Sequence, residues 1–148
     1  SVKENVTLAR LDQFIYNGRL HRQKEIETVE EVCARMNVRT PSINTDISAL
    51  SGGNQQKVVL SKWMVRDPQI LLLDEPTRGI DVGAKYEIYK LMTLLAKEER
   101  AILMVSSELP ELIGMCDRIY VMAEGKIRGE LQRGDFTQEA IMKLAVGE

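Results

Sequence analysis

The chain reads as an α/β fold: a mainly parallel sheet with its helices, preceded by an α-helical segment. Three observations carry that reading. From Asp67-Pro68 onward, apolar runs of strand length alternate with amphipathic helical stretches. Before that point, apolar residues recur only at helical spacing. The run Ile70-Leu71-Leu72-Leu73 is continuous, of the kind buried on both faces of a parallel sheet, and it ends in Asp74-Glu75, where α/β folds place ligand sites.

Along 22–36, Ile26, Val29, Cys33 and Met36 form an apolar stripe, while Lys24, Glu25, Glu27, Glu30, Glu31 and Arg35 cover the other face. Residues 38–48, with Pro41, Asn44 and Asp46, read as a loop. Ser51 can then cap a helix over about 54–66, with Val58, Val59, Leu60, Trp63 and Met64 on its buried side. The first 66 residues are thus expected to be all helical. After the turn at Asp67-Pro68 comes a buried strand at 69–73. Ile88, Leu91, Met92, Leu95 and Ala96 then stripe a helix over about 82–99. A second buried strand covers 101–105, and a short helix with Pro110 in its first turn covers 109–115. Residues 118–122 and 127–131, joined by Glu124-Gly125-Lys126, read as a hairpin, and a last helix spans about 137–145.

Composition removes several classes. The 148 residues are 44% hydrophobic with a net charge of −2, enough for one ordinary core and without a basic stripe, so nucleic acid is not an expected partner. The longest apolar run is far short of the roughly 20 residues needed to span a bilayer, and Ser1–Asn5 does not read as a signal peptide. Cys33 and Cys116 are unpatterned and read as reduced core cysteines, which fits a reducing compartment. His21, followed by Arg22 and Lys24 in a polar stretch, reads as a surface residue.

Two segments carry chemistry. Gly52 and Gly53 lack Cβ, so backbone N–H groups at a helix start can approach an anion, and Ser51 can cap that helix or donate to a phosphate oxygen. Alone, Ser-Gly-Gly-Asn reads equally as a flexible turn. At the strand tip, neighbouring side chains are expected on opposite faces, so Asp74 is assigned to Mg²⁺ and Glu75 to polarising an attacking water. Alone, that pair reads first as a solvated turn after a core strand, a common arrangement. Nowhere is there a Gly-x-x-x-x-Gly-Lys-Ser/Thr phosphate loop. The chain therefore reads as part of a nucleotide site.

Leu50-Ser51-Gly52-Gly53-Asn54-Gln55-Gln56-Lys57 followed by Leu72-Leu73-Asp74-Glu75-Pro76-Thr77 closely resembles the signature and Walker B motifs of ABC transporter ATPases, in order and separation. With Asn54, the segment Thr77-Arg78-Gly79-Ile80-Asp81-Val82-Gly83-Ala84-Lys85 and Ser106-Ser107-Glu108-Leu109-Pro110-Glu111, the chain resembles the C-terminal part of the second nucleotide-binding domain of monosaccharide importers of the ribose, galactose and xylose type.

The resemblance implies a partial P-loop NTPase core lacking its phosphate-loop strand. A helical signature subdomain would occupy 1–66, and the core with Walker B, D-loop and switch region 67–148. It implies that Leu50, Ser51, Gly52, Gly53 and Asn54 close on the γ-phosphate of ATP held by an opposing domain. Asp74 would be the Walker B aspartate, Glu75 the catalytic glutamate and Asp81 the D-loop aspartate. Ser107 stands where most of these ATPases carry a switch histidine, so the domain's own site is expected to be degenerate. ATP and Mg²⁺ would be the cofactors of the intact protein. Its partners would be membrane permease subunits, a sister nucleotide-binding domain and, indirectly, a periplasmic sugar-binding protein, with the protein peripheral at the cytoplasmic face of the inner membrane. Other readings are a non-transport ABC ATPase and a non-catalytic module that docks to permease and sister domain. The missing strand would lie between those at 101–105 and 118–122, so the chain is expected to pair its exposed sheet edges with another copy, to rearrange the hairpin, or to occur with the missing half supplied elsewhere.

Overall fold

A computed structural model describes residues 1–147. The chain divides into two compact units, Ser1–Met104 and Val105–Glu148.

The first unit opens with helix α1 (Val2–Thr7) and a 3-10 segment, Leu8–Phe14. A two-residue-strand hairpin follows, β1 (Ile15–Tyr16) against β2 (Arg19–Leu20). This corrects the expectation of an all-helical first part. Asn17 and Gly18 take φ of 49° and 73°, as a two-residue hairpin turn demands, and Asn-Gly is the residue pair that most readily supplies it. Helix α2 (Arg22–Arg35) matches its expected bounds. The expected loop holds one 3-10 turn, Ile47–Ala49, before α3 (Gly52–Met64). Val2 and Val6 of α1, Val29 and Cys33 of α2 and Val58 of α3 form one buried cluster, with Val38, Ile43, Ile47, Leu50 and Val65 packed on it.

Two assignments of faces change. Glu25, expected on the polar side of α2, is buried; it accepts a hydrogen bond from the Thr7 hydroxyl at 3.1 Å and lies 3.8 Å from the Lys3 ammonium. A short α1 laid on α2 covers it, which no periodicity within α2 reveals. On α3, Val58, Leu60 and Met64 are buried, but Val59 and Trp63 are 44% and 45% exposed. The inward stripe runs instead through Gly53, Lys57, Leu60, Ser61 and Met64, at helical spacing.

Strand β3 (Ile70–Asp74) leads through α4 (Val82–Lys97) to β4 (Ala101–Val105), its parallel neighbour. Arg100, at the start of β4, donates to the Pro68 carbonyl and to the Asp67 carboxylate, fastening the two strand beginnings together. The expectation that β3 and β4 are buried strands is corrected: in β3, Leu71 and Leu73 are buried but Ile70 and Leu72 are 66% and 74% exposed, and in β4 no residue is buried, Leu103 and Val105 being exposed by more than half. An apolar run marks a strand that can be covered twice; here the chain covers one face.

In the second unit, α5 (Leu109–Met115) and α6 (Gln138–Val146) accompany the antiparallel hairpin of β5 (Arg118–Ala123) and β6 (Lys126–Gln132). Ile119, Val121 and Ile141 are its buried centre, with Leu109, Leu112, Cys116, Leu131 and Leu144 against them. A register shift between Val121 and Met122 leaves Arg128 unmatched. Among the described residues, strand pairing gives three two-stranded sheets: β1 with β2, β3 with β4, and β5 with β6. Both cysteines are free, and burial pushes the Cys33 thiol up to about 11, as expected of an inert core residue. His21 is exposed, edge-on to the Tyr16 ring at 5.8 Å. Among the described residues, no helix is long and apolar enough to cross a membrane.

Candidate functional site

The start of α3 is built by a sharp reversal. Leu50 ends the 3-10 turn with extended backbone and packs on the first unit's core; its carbonyl accepts from the Gln55 side chain at 2.9 Å. Ser51 follows as the residue before the helix, at φ −61° and ψ 153°. It sits at the capping position as expected, but its hydroxyl caps no backbone N–H. That hydroxyl instead accepts from the Asn54 side-chain amide at 3.0 Å, and the Asn54 carbonyl oxygen accepts the Arg39 backbone N–H at 2.8 Å. The first-turn N–H groups of α3 are thus not taken by Ser51, and a helix of this length carries about half a positive charge at that end.

Helix α4 meets α3 at this point. Asp81 precedes α4 and its carboxylate accepts the Ala84 N–H at 2.9 Å, a side-chain cap that fixes where the helix begins. Gly53 is buried, and a Cβ there would stand 2.4 Å from the Ala84 Cβ. The absence of a side chain at Gly53 therefore admits the neighbouring helix. Gly52 is exposed, with the Ile80 methyl 3.5 Å from where its Cβ would be. Ser51, Gly53, Asn54, Asp81, Gly83 and Ala84 together line one open cleft of ≈ 290 Å³ between the two helix starts. Two motifs lying some 30 residues apart are thus brought into one place.

Three further residues line that cleft, and the sequence reading assigned them no role: Arg39, Lys57 and Glu87. Lys57 is fully buried. Its ammonium donates to the Asn37 carbonyl at 2.9 Å and to the Glu87 carboxylate, whose other oxygen takes the Arg39 guanidinium at 3.1 Å. The hydrogen bond from Lys57 holds the Glu87 carboxyl below its ordinary range, with the charges of Lys57, Arg39 and Lys90 acting the same way. A lone lysine on the inward stripe of α3 was the available signal. Its partner, thirty residues on, left none.

The acidic strand tip stands apart from this cleft. Asp74 is the last residue of β3 and is exposed. Glu75 has already left the strand, at φ 45°, so strand alternation does not set its direction relative to Asp74; a left-handed residue, costing about 1–2 kcal/mol, does. Its carbonyl accepts the Arg78 N–H at 3.1 Å, closing a turn over buried Pro76 and Thr77. Among the described residues no three potential metal ligands cluster. A single exposed carboxylate suits a cation such as Mg²⁺, which takes one or two protein carboxylates and fills its shell with phosphate and water oxygens.

Ser107 belongs to the second unit, exposed in the loop between β4 and α5. Beside it the Ser106 hydroxyl donates to the buried Glu111 carboxylate and accepts the Glu108 N–H at 3.0 Å, so the loop is pinned to the first turn of α5.

The ABC transporter family model matches residues 1–78. The chain is 54% identical over 143 residues to the L-arabinose transport ATP-binding protein of Geobacillus stearothermophilus, covering 97% of this chain and 28% of that protein. It is 51% identical over 147 residues to the ribose import ATP-binding protein of Yersinia pestis, covering 99% of this chain and 29% of that protein. With the xylose import ATP-binding protein of Geobacillus kaustophilus it shares 53% identity over 144 residues, again 97% of this chain and 29% of that protein. The chain thus spans less than a third of the length of these relatives. Among solved structures, an ATP-binding cassette of an ABC transporter superimposes with a TM-score of 0.81 at 17% identity, over 97% of this chain and 62% of that one. An inward-facing metal-chelate-type ABC transporter does so with a TM-score of 0.83 at 14% identity, over 99% and 58%. Such identities speak to the fold alone, which is that of part of an ABC ATPase. On the match of more than half its length to the family model, the chain belongs to the ABC transporter family.

Proposed function

We propose that this chain is the C-terminal part of the second nucleotide-binding domain in the ATP-hydrolysing subunit of a bacterial monosaccharide importer. On this reading it comprises a signature subdomain over 1–66 and the Walker B, D-loop and switch region over 67–148, and works at the cytoplasmic face of the inner membrane. Its partners are membrane permease subunits, a sister nucleotide-binding domain and, through the permease, a periplasmic sugar-binding protein. The observation that carries the reading is the cleft at the start of α3 and α4, where Ser51, Gly53, Asn54 and Asp81 lie together. Near-complete coverage by sugar-import ATP-binding proteins at 51–54% identity supports the substrate class.

The chain's own residues divide the work. The first-turn N–H groups of α3, which the Ser51 side chain does not cap, face with its hydroxyl the γ-phosphate of ATP held by the opposing domain, adding charge stabilisation as phosphoryl transfer proceeds. Asp74 would hold Mg²⁺ through water with its exposed carboxylate, where such a cation would supply charge neutralisation for the phosphates. Glu75 orients water. Ser107 brings no cation where most relatives of this fold would place an imidazole, so the site containing Glu75 is degenerate and the signature is the chain's main contribution.

The test is made in the intact subunit. Ser51→Ala lowers ATP turnover on the order of 10²-fold, the effect of removing one preorganised donor, while Glu75→Gln changes it little, and Ser107→His restores a dependence on Glu75. Turnover that collapses with Glu75→Gln and ignores Ser51→Ala reverses the assignment. The second reading, a docking module that binds no nucleotide by itself, is favoured for the isolated chain by the absence of a phosphate loop. A ligand at 100 times its dissociation constant would add about 2.7 kcal/mol of stability, so a melting temperature unmoved by Mg-ATP supports the module.

A further inference from the structure

We infer that Glu87 is a positioning residue, which holds the phosphate-facing turn Ser51–Asn54 in register with Asp81 through a continuous chain of hydrogen bonds across the cleft. The inference deepens the reading above and rests on it for the meaning of Ser51. The chain runs from the Lys57 ammonium, fully buried and anchored to the Asn37 carbonyl at 2.9 Å, to one Glu87 oxygen. From the other oxygen it passes to the Arg39 guanidinium at 3.1 Å, and from the Arg39 backbone N–H to the Asn54 side chain at 2.8 Å. It ends with the Asn54 amide on the Ser51 hydroxyl at 3.0 Å.

Each link consumes what the next would otherwise lose. A buried ammonium without its carboxylate is severely penalised, so Lys57 holds Glu87 inward. Glu87 lies six residues beyond Asp81 on α4, so fixing it fixes the rotation of that helix, and Ala84 against Gly53 blocks sliding. Arg39 carries both neighbouring links, its largely exposed guanidinium meeting Glu87 and its own N–H meeting Asn54. The hydroxyl aimed at an incoming phosphate is therefore oriented from α4, the helix that Asp81 caps.

The experiment is heteronuclear NMR on the chain, following the backbone signals of Ser51 and Asn54 and the Asn54 side-chain amide. Lys57 from α3, Arg39 from the loop after α2 and Lys90 on α4 are the charged groups facing Glu87. On acidification, the Ser51 and Asn54 signals are expected to move with the same midpoint as the Glu87 carboxyl carbon, and Glu87→Gln is expected to abolish that movement. At neutral pH, Glu87→Gln shifts the Asn54 side-chain amide, whereas Lys90→Gln, which alters the field at Glu87 without touching the chain of bonds, does not. Signals at Ser51 and Asn54 that ignore both the titration and Glu87→Gln overturn the inference, as does an equal response to Lys90→Gln. No nucleotide enters this measurement. A failed coupling therefore leaves the Ser51 turnover test standing, and a failed turnover test leaves the coupling standing.

Discussion

At the scale of single residues, the cleft depends on what Gly53 lacks. An added methyl at 2.4 Å from the Ala84 Cβ cannot be absorbed by rotating a flexible side chain, because the obstacle is fixed to the backbone of α4. The two helices must separate. Overpacking of this kind costs about 1–3 kcal/mol, while replacing glycine by alanine in a helix returns at most about 1 kcal/mol; the clash wins. Gly53→Ala is thus expected to lower the urea midpoint, and adding Ala84→Gly to restore most of it. Equal midpoints for wild type and Gly53→Ala would remove this glycine from the packing argument. The same position shows how a motif is read and misread. A glycine pair at a helix start announces an approach by something, and sequence cannot say whether that is a phosphate or a neighbouring helix.

At the scale of elements, bounds were easier to read than faces. Strand β4 and helix α5 fall where composition placed them, because an apolar run of strand length after a charged turn and a proline in a first turn are local signals. The hairpin at Ile15–Leu20 went unread although Asn17-Gly18 stood in the sequence, since strands of two residues leave no alternation to see. The apolar pattern of α3 points to the wrong face because its inward stripe carries Lys57 and Ser61, polar residues whose bonds are satisfied inside. Hydrophobicity cannot follow such a stripe; burial does. A stability comparison follows from it. Met64 is 4% exposed and Trp63 45%, so Met64→Ala, with the smaller side chain removed, is expected to cost about 2–5 kcal/mol. Trp63→Ala should cost clearly less. Chemical denaturation of the two variants checks the order, and a reversed order would mean that the stripe through Lys57 does not face the core.

At the scale of the whole molecule, the question is what the uncovered sheet surface does in solution. In the first unit, Ile70, Leu72 and Leu103 are exposed by more than half, although all three lie in strands whose composition suits full burial. Strand β4 pairs with β3 alone among the described residues, leaving its other edge able to accept a strand. Single exposed apolar residues are ordinary on protein surfaces, but a row of them beside an open strand edge is a template for association. Net charge does little to oppose it, at −2 over 148 residues. The chain alone is therefore expected to form dimers or larger species whose population rises with concentration in sedimentation velocity. Leu72→Lys combined with Leu103→Lys places two like charges on that face without touching the cleft at α3 and α4. It should return the chain to a monomer with an unchanged far-ultraviolet spectrum. A wild-type chain that sediments as a monomer at every concentration would show that the exposed face and edge are tolerated by the molecule as it stands, and that no second surface is needed to cover them.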